Sequence, residues 1–295
     1  MTRKLLLAFL TIISYYQTAP GQDSTMAQTN KEWRVGGSGY FQIMMSSIQQ
    51  SFDMPFAKLT IDGQCQSKKQ LSFHLELRPT PGNPLLKVYL SYSLRPMLTI
   101  LLGQLSNPIK YVEPEPEIKT LIYYSLYQHY VANGDDIGIA AFGKSTKFCY
   151  FACVINGTGR NIADNNTAKD IAAYLSYDFS PLVQLAIAGQ TGQQPTNNRN
   201  IGFARLTLTP RPNLGVDTSV MGRTDLNDWG WYLSASYGQR HIKLLGRVHQ
   251  TMHRHQPEWT LGLQTGDIPF KFQINAIIGQ ARKPELAALT QIYIQ

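Results

Sequence analysis

Residues 164–179, "DNNTAKDIAAYLSYDF", change character halfway and decide the fold. Turn formers open the stretch. A run follows in which Ile171, Ala173, Leu175, Tyr177 and Phe179 alternate with Ala172, Tyr174, Ser176 and Asp178. Successive side chains of a strand point to opposite faces, so one face here is apolar and the other small or polar. One face must therefore meet an apolar medium and the other water.

The same period recurs along the chain. In "QLSFHLELR", Leu71, Phe73, Leu75 and Leu77 oppose Ser72, His74, Glu76 and Arg78. In "LLKVYLSYSL", Leu86, Val88, Leu90, Tyr92 and Leu94 oppose Lys87, Tyr89, Ser91 and Ser93. "FKFQINA" sets Phe270, Phe272 and Ile274 against Lys271, Gln273 and Asn275. Such segments predict sixteen strands, near 33–47, 56–66, 70–78, 85–94, 97–105, 135–143, 146–154, 170–179, 182–191, 200–209, 214–221, 230–239, 242–252, 258–266, 269–279 and 287–295. Twelve to fourteen strands is the alternative, and the weakest segments are 97–105 and 214–221.

The connections carry more than the strands. Those at 67–69, 95–96, 144–145, 180–181, 210–213, 240–241 and 267–268 are short; those between run longer, up to 106–134. Short turns on one rim and longer loops on the other are what a closed outer-membrane barrel requires, whereas a sandwich gives no reason for the alternation. The expected fold is an all-β, closed antiparallel transmembrane barrel, apolar toward lipid and polar toward a water-filled lumen. Closure pairs every backbone group, which hydrocarbon demands.

Composition agrees. The chain has 295 residues, 43% hydrophobic and 16% charged, with 16 tyrosines and 23 glycines, a balance that leans to strands and tight turns. Its net charge of +8 would point to nucleic acid or an acidic partner in a soluble protein, but a barrel needs no such partner. Residues 1–21 carry Arg3 and Lys4, an apolar run from Leu5 to Ile13 and small residues at Ala19 and Gly21, the pattern of a secretory signal peptide, leaving 22–295 as the barrel. Removing Arg3 and Lys4 takes the charge from +8 to +6. No later stretch reaches the ~18 consecutive apolar residues of a transmembrane helix. Cys65, Cys149 and Cys153 are too few for a disulfide scaffold. Cys149 and Cys153, roughly 13 Å apart along one strand at ~3.3 Å per residue, are too distant to bridge.

Three stretches carry a family resemblance. "VINGTGRNIADNNTAKDIAAYLSY" (154–177), "LLGQLSNPI" (101–109) and "DDIGI" (135–139) resemble segments of the phosphate-selective porin O and P family. The resemblance implies a sixteen-stranded outer-membrane barrel, commonly a homotrimer, that passes small anions and in some members phosphate. Two features depart from it: the chain is short for the family, and it ends on Gln295 where such barrels usually end on an aromatic residue.

A selective pore needs charge at short range, because ions exchange hydration for protein groups. Alternation assigns Lys58, Arg78, Lys87, Arg205, Arg240, Lys243, Arg247 and Lys271 to the lumen, against Asp62, Glu76, Asp170 and Asp178. That excess favours anions, and arginine suits phosphate through bidentate hydrogen bonds. The connection 106–134 is the candidate constriction, entering the bore with Lys110, Lys119, Tyr123, Tyr124, Tyr127 and Tyr130. Its Glu113, Glu115 and Glu117 argue for a broad anion pore over a dedicated phosphate channel. "HQTMHRHQP" (249–257) has no carboxylate or cysteine at ligand spacing except Glu258, so no metal is expected. No cofactor, no nucleic-acid partner and no catalytic grouping is expected either. The leading expectation is a passive outer-membrane channel; a barrel plugged by 106–134, with a binding or structural role, is the alternative.

Overall fold

The computed structural model describes residues 32–47, 52–79, 84–111, 130, 134–164, 166–193, 198–239, 241–252, 256–267, 270–279 and 282–294. The expected leader, residues 1–21, lies outside them. The barrel belongs to the unit Trp33–Gln295.

Sixteen strands follow in chain order: β1 Trp33–Ser46, β2 Phe52–Cys65, β3 Leu71–Leu77, β4 Leu85–Arg95, β5 Leu98–Ser106, β6 Asp135–Lys144, β7 Phe148–Ile155 and β8 Asp170–Ser180. Then come β9 Val183–Gln193, β10 Asn198–Arg211, β11 Leu214–Arg223, β12 Asp228–Gln239, β13 Ile242–Thr251, β14 Glu258–Asp267, β15 Phe270–Gly279 and β16 Arg282–Ile294. Each pairs antiparallel with its chain neighbours, and β1 closes on β16 from Gly39↔Ile294 to Ser46↔Ala287. The sequence therefore predicted the strand number, the closure and the alternation of short and long connections.

Two boundaries differ for one physical reason. β2 begins at Phe52 instead of 56, and β16 at Arg282 instead of 287. Both unpredicted ends hold a proline, Pro55 in one and Pro284 in the other. Proline has no N–H for a ladder and is confined to edges or bulges. The register breaks where it must, between Gln42 and Met44 opposite β2 and between Ile277 and Gly279 opposite β16.

In β8, Ile171, Leu175, Tyr177 and Phe179 are exposed on the outer wall while Asp170, Ala172 and Ser176 are buried inside. Aromatic side chains lie outward near both rims: Trp229 and Trp259 by the long loops, Tyr92, Tyr177, Phe179 and Tyr237 by the short turns. From Trp229 to Tyr237 one strand advances about 26 Å at ~3.3 Å per residue, and about 20 Å of height after a ~40° tilt, close to the ~25 Å apolar band of such barrels. Leu233, exposed midway along β12, tests this assignment. In a bilayer Leu233→Arg is expected to cost about 2–4 kcal/mol, read as a loss of folded, heat-modifiable barrel.

The interior departs from the expectation of a uniformly polar lumen. Two buried apolar clusters line it, one of Ala186, Ala188, Ile201, Phe203, Met221 and Tyr232 on β9–β12, the other of Leu101, Leu105, Ala140, Phe151, Cys153, Ile155 and Ala172 on β5–β8. What covers the first is the loop after β5: Ile109 and Tyr130 are both fully buried within it.

Candidate functional site

The connection between β5 and β6 turns into the bore at once. A single 3-10 turn, Pro108–Tyr111, follows β5, and Tyr111 packs on Phe151 and Tyr174 with ring centroids 5.2 and 6.0 Å away. Ile109 lies among the inward side chains of β9–β12. At the far end of the loop Tyr130 enters the same cluster, and its carbonyl accepts a 2.9 Å bond from Arg223 Nη1. Arg223 is itself gripped by Asp225, whose carboxyl is held below the usual carboxylate range by that hydrogen bond. Tyr130 thus anchors the loop and does not line an open pore. Lys119, Tyr123, Tyr124 and Tyr127 lie outside the described residues, as do Glu113, Glu115 and Glu117.

A buried polar chain fixes the loop's base. Asn107 Nδ2 donates to Gln190 Oε1 at 2.6 Å, and Gln190 Nε2 donates to Asp170 Oδ2 at 2.5 Å. Arg199 Nη2 donates to the same carboxylate oxygen at 2.6 Å and to the Gly157 carbonyl at 3.1 Å. The Asp170 side chain is 1% exposed. Removing one partner of a buried ion pair costs about 3–5 kcal/mol, because the other charge stays buried alone. Asp170→Ala is therefore expected to destabilise the barrel by that order, measured as a lower temperature for loss of the compact electrophoretic form. Gly192 packs against this carboxylate so closely that a β-carbon would collide with Asp170 Oδ1, which explains a glycine at this strand position.

The wall on β2, β3 and β4 carries the charge. Cross-strand neighbours on one face sit within reach of each other. One row aligns Thr60, Glu76 and Lys87, the next Asp62, His74 and Tyr89. Lys87 Nζ lies 3.2 Å and Lys58 Nζ 3.5 Å from Glu76 Oε2, and Lys110, on the inserted loop, lies within coulombic reach of the same carboxylate. His74 stacks on Tyr89 at 4.9 Å, with Nδ1 2.7 Å from Asp62 Oδ1 and Nε2 3.6 Å from Glu76 Oε2. Two lysines of the wall thus converge on one glutamate oxygen, and Lys110 adds a longer-range positive charge.

The other lumen candidates fare unequally. Arg205 donates through Nε and Nη2 to Asp217 Oδ1 at 3.0 and 2.5 Å, and Thr207 bonds the same oxygen. Its charge is compensated, and Asp217, the carboxylate that compensates it, was missed because β11 alternates weakly in sequence. Arg247 lies over the Tyr232 ring, 4.3 Å from its centroid, a cation–π arrangement. Lys243 occupies the inward row opposite Gly238 and Gln264. Lys271 is in register with Gly266 and Gln291. Arg78 ends β3, where its N–H donates to Pro84 O at 2.6 Å. Arg240 lies outside the described residues. His249, which opens the 249–257 stretch, is fully enclosed beside Glu258 at 3.7 Å, and sequence reading gives no role to the buried rim carboxylates Asp135, Asp136 and Asp228. No group of three metal-ligating side chains occurs among the described residues.

The barrel has architectural counterparts. No family model and no curated protein matches the chain. Among solved structures it is similar to the porin of Rhodopseudomonas blastica: a multiple mutant superposes with a TM-score of 0.64 at 10% identity, covering 89% of this chain and 100% of that one. A triple mutant of the same porin gives 0.63 at 10% identity over 89% of this chain and 100% of that one. A structure described under "Asymmetric conductivity of engineered proteins" gives 0.63 at 11% over the same shares, 89% and 100%. The fold is that of the sixteen-stranded porin barrels.

Proposed function

We propose that the chain is a passive outer-membrane channel for small anions, not an enzyme. The observation that carries this reading is the pairing of Lys58 and Lys87 with the single carboxylate of Glu76, with Lys110 of the inserted loop adding charge from farther off. In a narrow, partly dehydrated bore such an excess of cations raises the local anion concentration. Lys243 and Arg247 extend it along β13, whereas Arg205 contributes little net charge beside Asp217.

The porin fold and the outward apolar belt support placement in a bacterial outer membrane, with the short turns toward the periplasm and residues 1–21 as the export signal. The segments resembling the phosphate-selective O and P family support phosphate as one of the anions carried and a homotrimer as the assembly. Lysines give point charges and no bidentate fork, which favours a general anion path over a dedicated phosphate site.

The test is the reversal potential of the refolded chain in a planar bilayer under a KCl gradient. A value near the chloride equilibrium potential is expected; a value toward potassium overturns the anion reading. Near-zero conductance that rises only when residues 112–129 are deleted would instead mark a plugged barrel.

A further inference from the structure

The two rims handle their cations differently. At the long-loop rim Arg160 meets Asp135 at 3.5 Å, Arg199 meets Asp170 and Arg223 meets Asp225 at 2.6 Å, and Lys169 meets Asp164. The seven short connections, 66–70, 96–97, 145–147, 181–182, 212–213, 240–241 and 268–269, contain no acidic residue, and of the residues that flank them directly Asp267 alone is acidic. In or beside them Lys68, Lys69, Arg95, Lys147 and Arg211 are exposed, and none has an ion-pair partner among the described residues.

Two register breaks aim the arginines outward. Simple alternation would put Arg95 on the inward row of Ser91 and Ser93, and Arg211 on that of Arg205 and Thr207. The break between Ser93 and Arg95 sets Arg95 opposite Leu98, and the break between Leu208 and Arg211 sets Arg211 opposite Leu214. Leu98 shares its face with Ile100 and Leu102, and Leu214 with Val216 and Val220, all on the outer wall. Bulges re-aim side chains in this way at barrel rims. The outward aromatics Tyr92, Tyr177 and Phe179 lie just inside this rim, so the cations sit where an apolar belt ends.

We propose that the short-turn rim is a docking surface for the phosphate headgroups of anionic phospholipids in the facing leaflet. Arg95 and Arg211 grip the phosphate diester from the wall, where a guanidinium offers paired donors, and Lys68, Lys69 and Lys147 add charge from the turn tips. Their apolar stems lie along the belt while the charged heads reach the interface. Among the described residues of the opposite rim these four cations are already neutralised. The inference rests on the membrane placement above and not on anion selectivity.

The experiment compares the full barrel with a variant carrying K68Q, K69Q, R95Q, K147Q and R211Q. Both are inserted into phosphatidylcholine vesicles with or without phosphatidylglycerol, extracted, and weighed with bound lipid by native mass spectrometry. The unchanged barrel is expected to retain phosphatidylglycerol over phosphatidylcholine by about tenfold or more, and the variant to lose that preference. K144Q, at an inward-row position opposite Cys149, should keep it. Preference that persists in the variant overturns the proposal, as does its loss to inorganic phosphate at the lipid's own concentration, which would mark a free-anion site. Failure of the unchanged barrel to insert in either vesicle overturns the membrane placement and this inference with it.

Discussion

Reversing Lys58 and Lys87 together, as Lys58→Glu and Lys87→Glu, is expected to turn an anion-preferring pore into a cation-preferring one. Both side chains lie within 3.5 Å of Glu76 Oε2, so the change replaces two cations around one carboxylate with three neighbouring carboxylates. Unit charges a few ångströms apart interact by about 1 kcal/mol in bulk water and several-fold more near a protein surface. A permeability ratio shifted at least about tenfold, equivalent to ~1.4 kcal/mol, is the corresponding expectation. The reversal potential under a KCl gradient reads it directly. Because three acids in one place strain assembly, the milder pair Lys58→Gln and Lys87→Gln should move the potential the same way by less. Glu76→Gln, which removes the acid that both lysines contact, should move it in the opposite direction. Were all three variants to match the parent, this wall would not face the conducting path.

Ile109→Asp is expected to release the inserted loop and raise single-channel conductance without dismantling the barrel. Ile109 is fully buried in a cluster with Ala186, Phe203, Met221 and Tyr232, and the cations beside that cluster are already engaged, Arg247 over the Tyr232 ring and Arg223 with Tyr130 O and Asp225. Burying an unpaired carboxylate costs several kcal/mol at least, more than one anchoring turn contributes, so the side chain leaves the wall instead. The strands stay paired because their backbone hydrogen bonds do not pass through the loop. The expected record has larger and noisier currents with an unchanged electrophoretic mobility of the folded form. Ile109→Val, which keeps the apolar contact, should conduct like the parent; equal conductance in Ile109→Asp and the parent would show that the loop does not restrict the path.

The barrel was legible because membrane strands obey one rule along their whole length. Ile171, Leu175, Tyr177 and Phe179 announce an outer face, and the alternation of short with long connections announces two unlike rims. Where the rule failed, local chemistry had overruled it: Pro55 and Pro284 interrupted the pattern at strand ends that the ladder nonetheless includes. Arg95 and Arg211 fall in short connections by counting, yet the ladder includes both and the bulges beside them turn them out.

The site was legible only in part. Lys58, Lys87 and Glu76 could be placed on one face by counting, since period-2 alternation needs no tertiary information. That they share a single carboxylate oxygen, and that Lys110 approaches it, depends on cross-strand register and on the path of the loop, neither of which a sequence encodes locally. Ile201, Phe203 and Met221 show the limit from the other side. A barrel that is apolar outside leads one to expect a polar inside, yet these side chains face inward because a loop far earlier in the chain covers them. Likewise Arg205 looks like a pore charge until Asp217, on the neighbouring strand, is found against it.

The sequence by itself thus determined the closed sixteen-stranded barrel, its two rims and the face of most residues, because each follows from backbone geometry and solvent alone. Tertiary structure decided which charges are compensated, where the loop after β5 turns inward and which arginines meet the rim. Those depend on groups brought together across strands and loops, where distances of 2.5–3.5 Å, not spacing in the chain, set the energies.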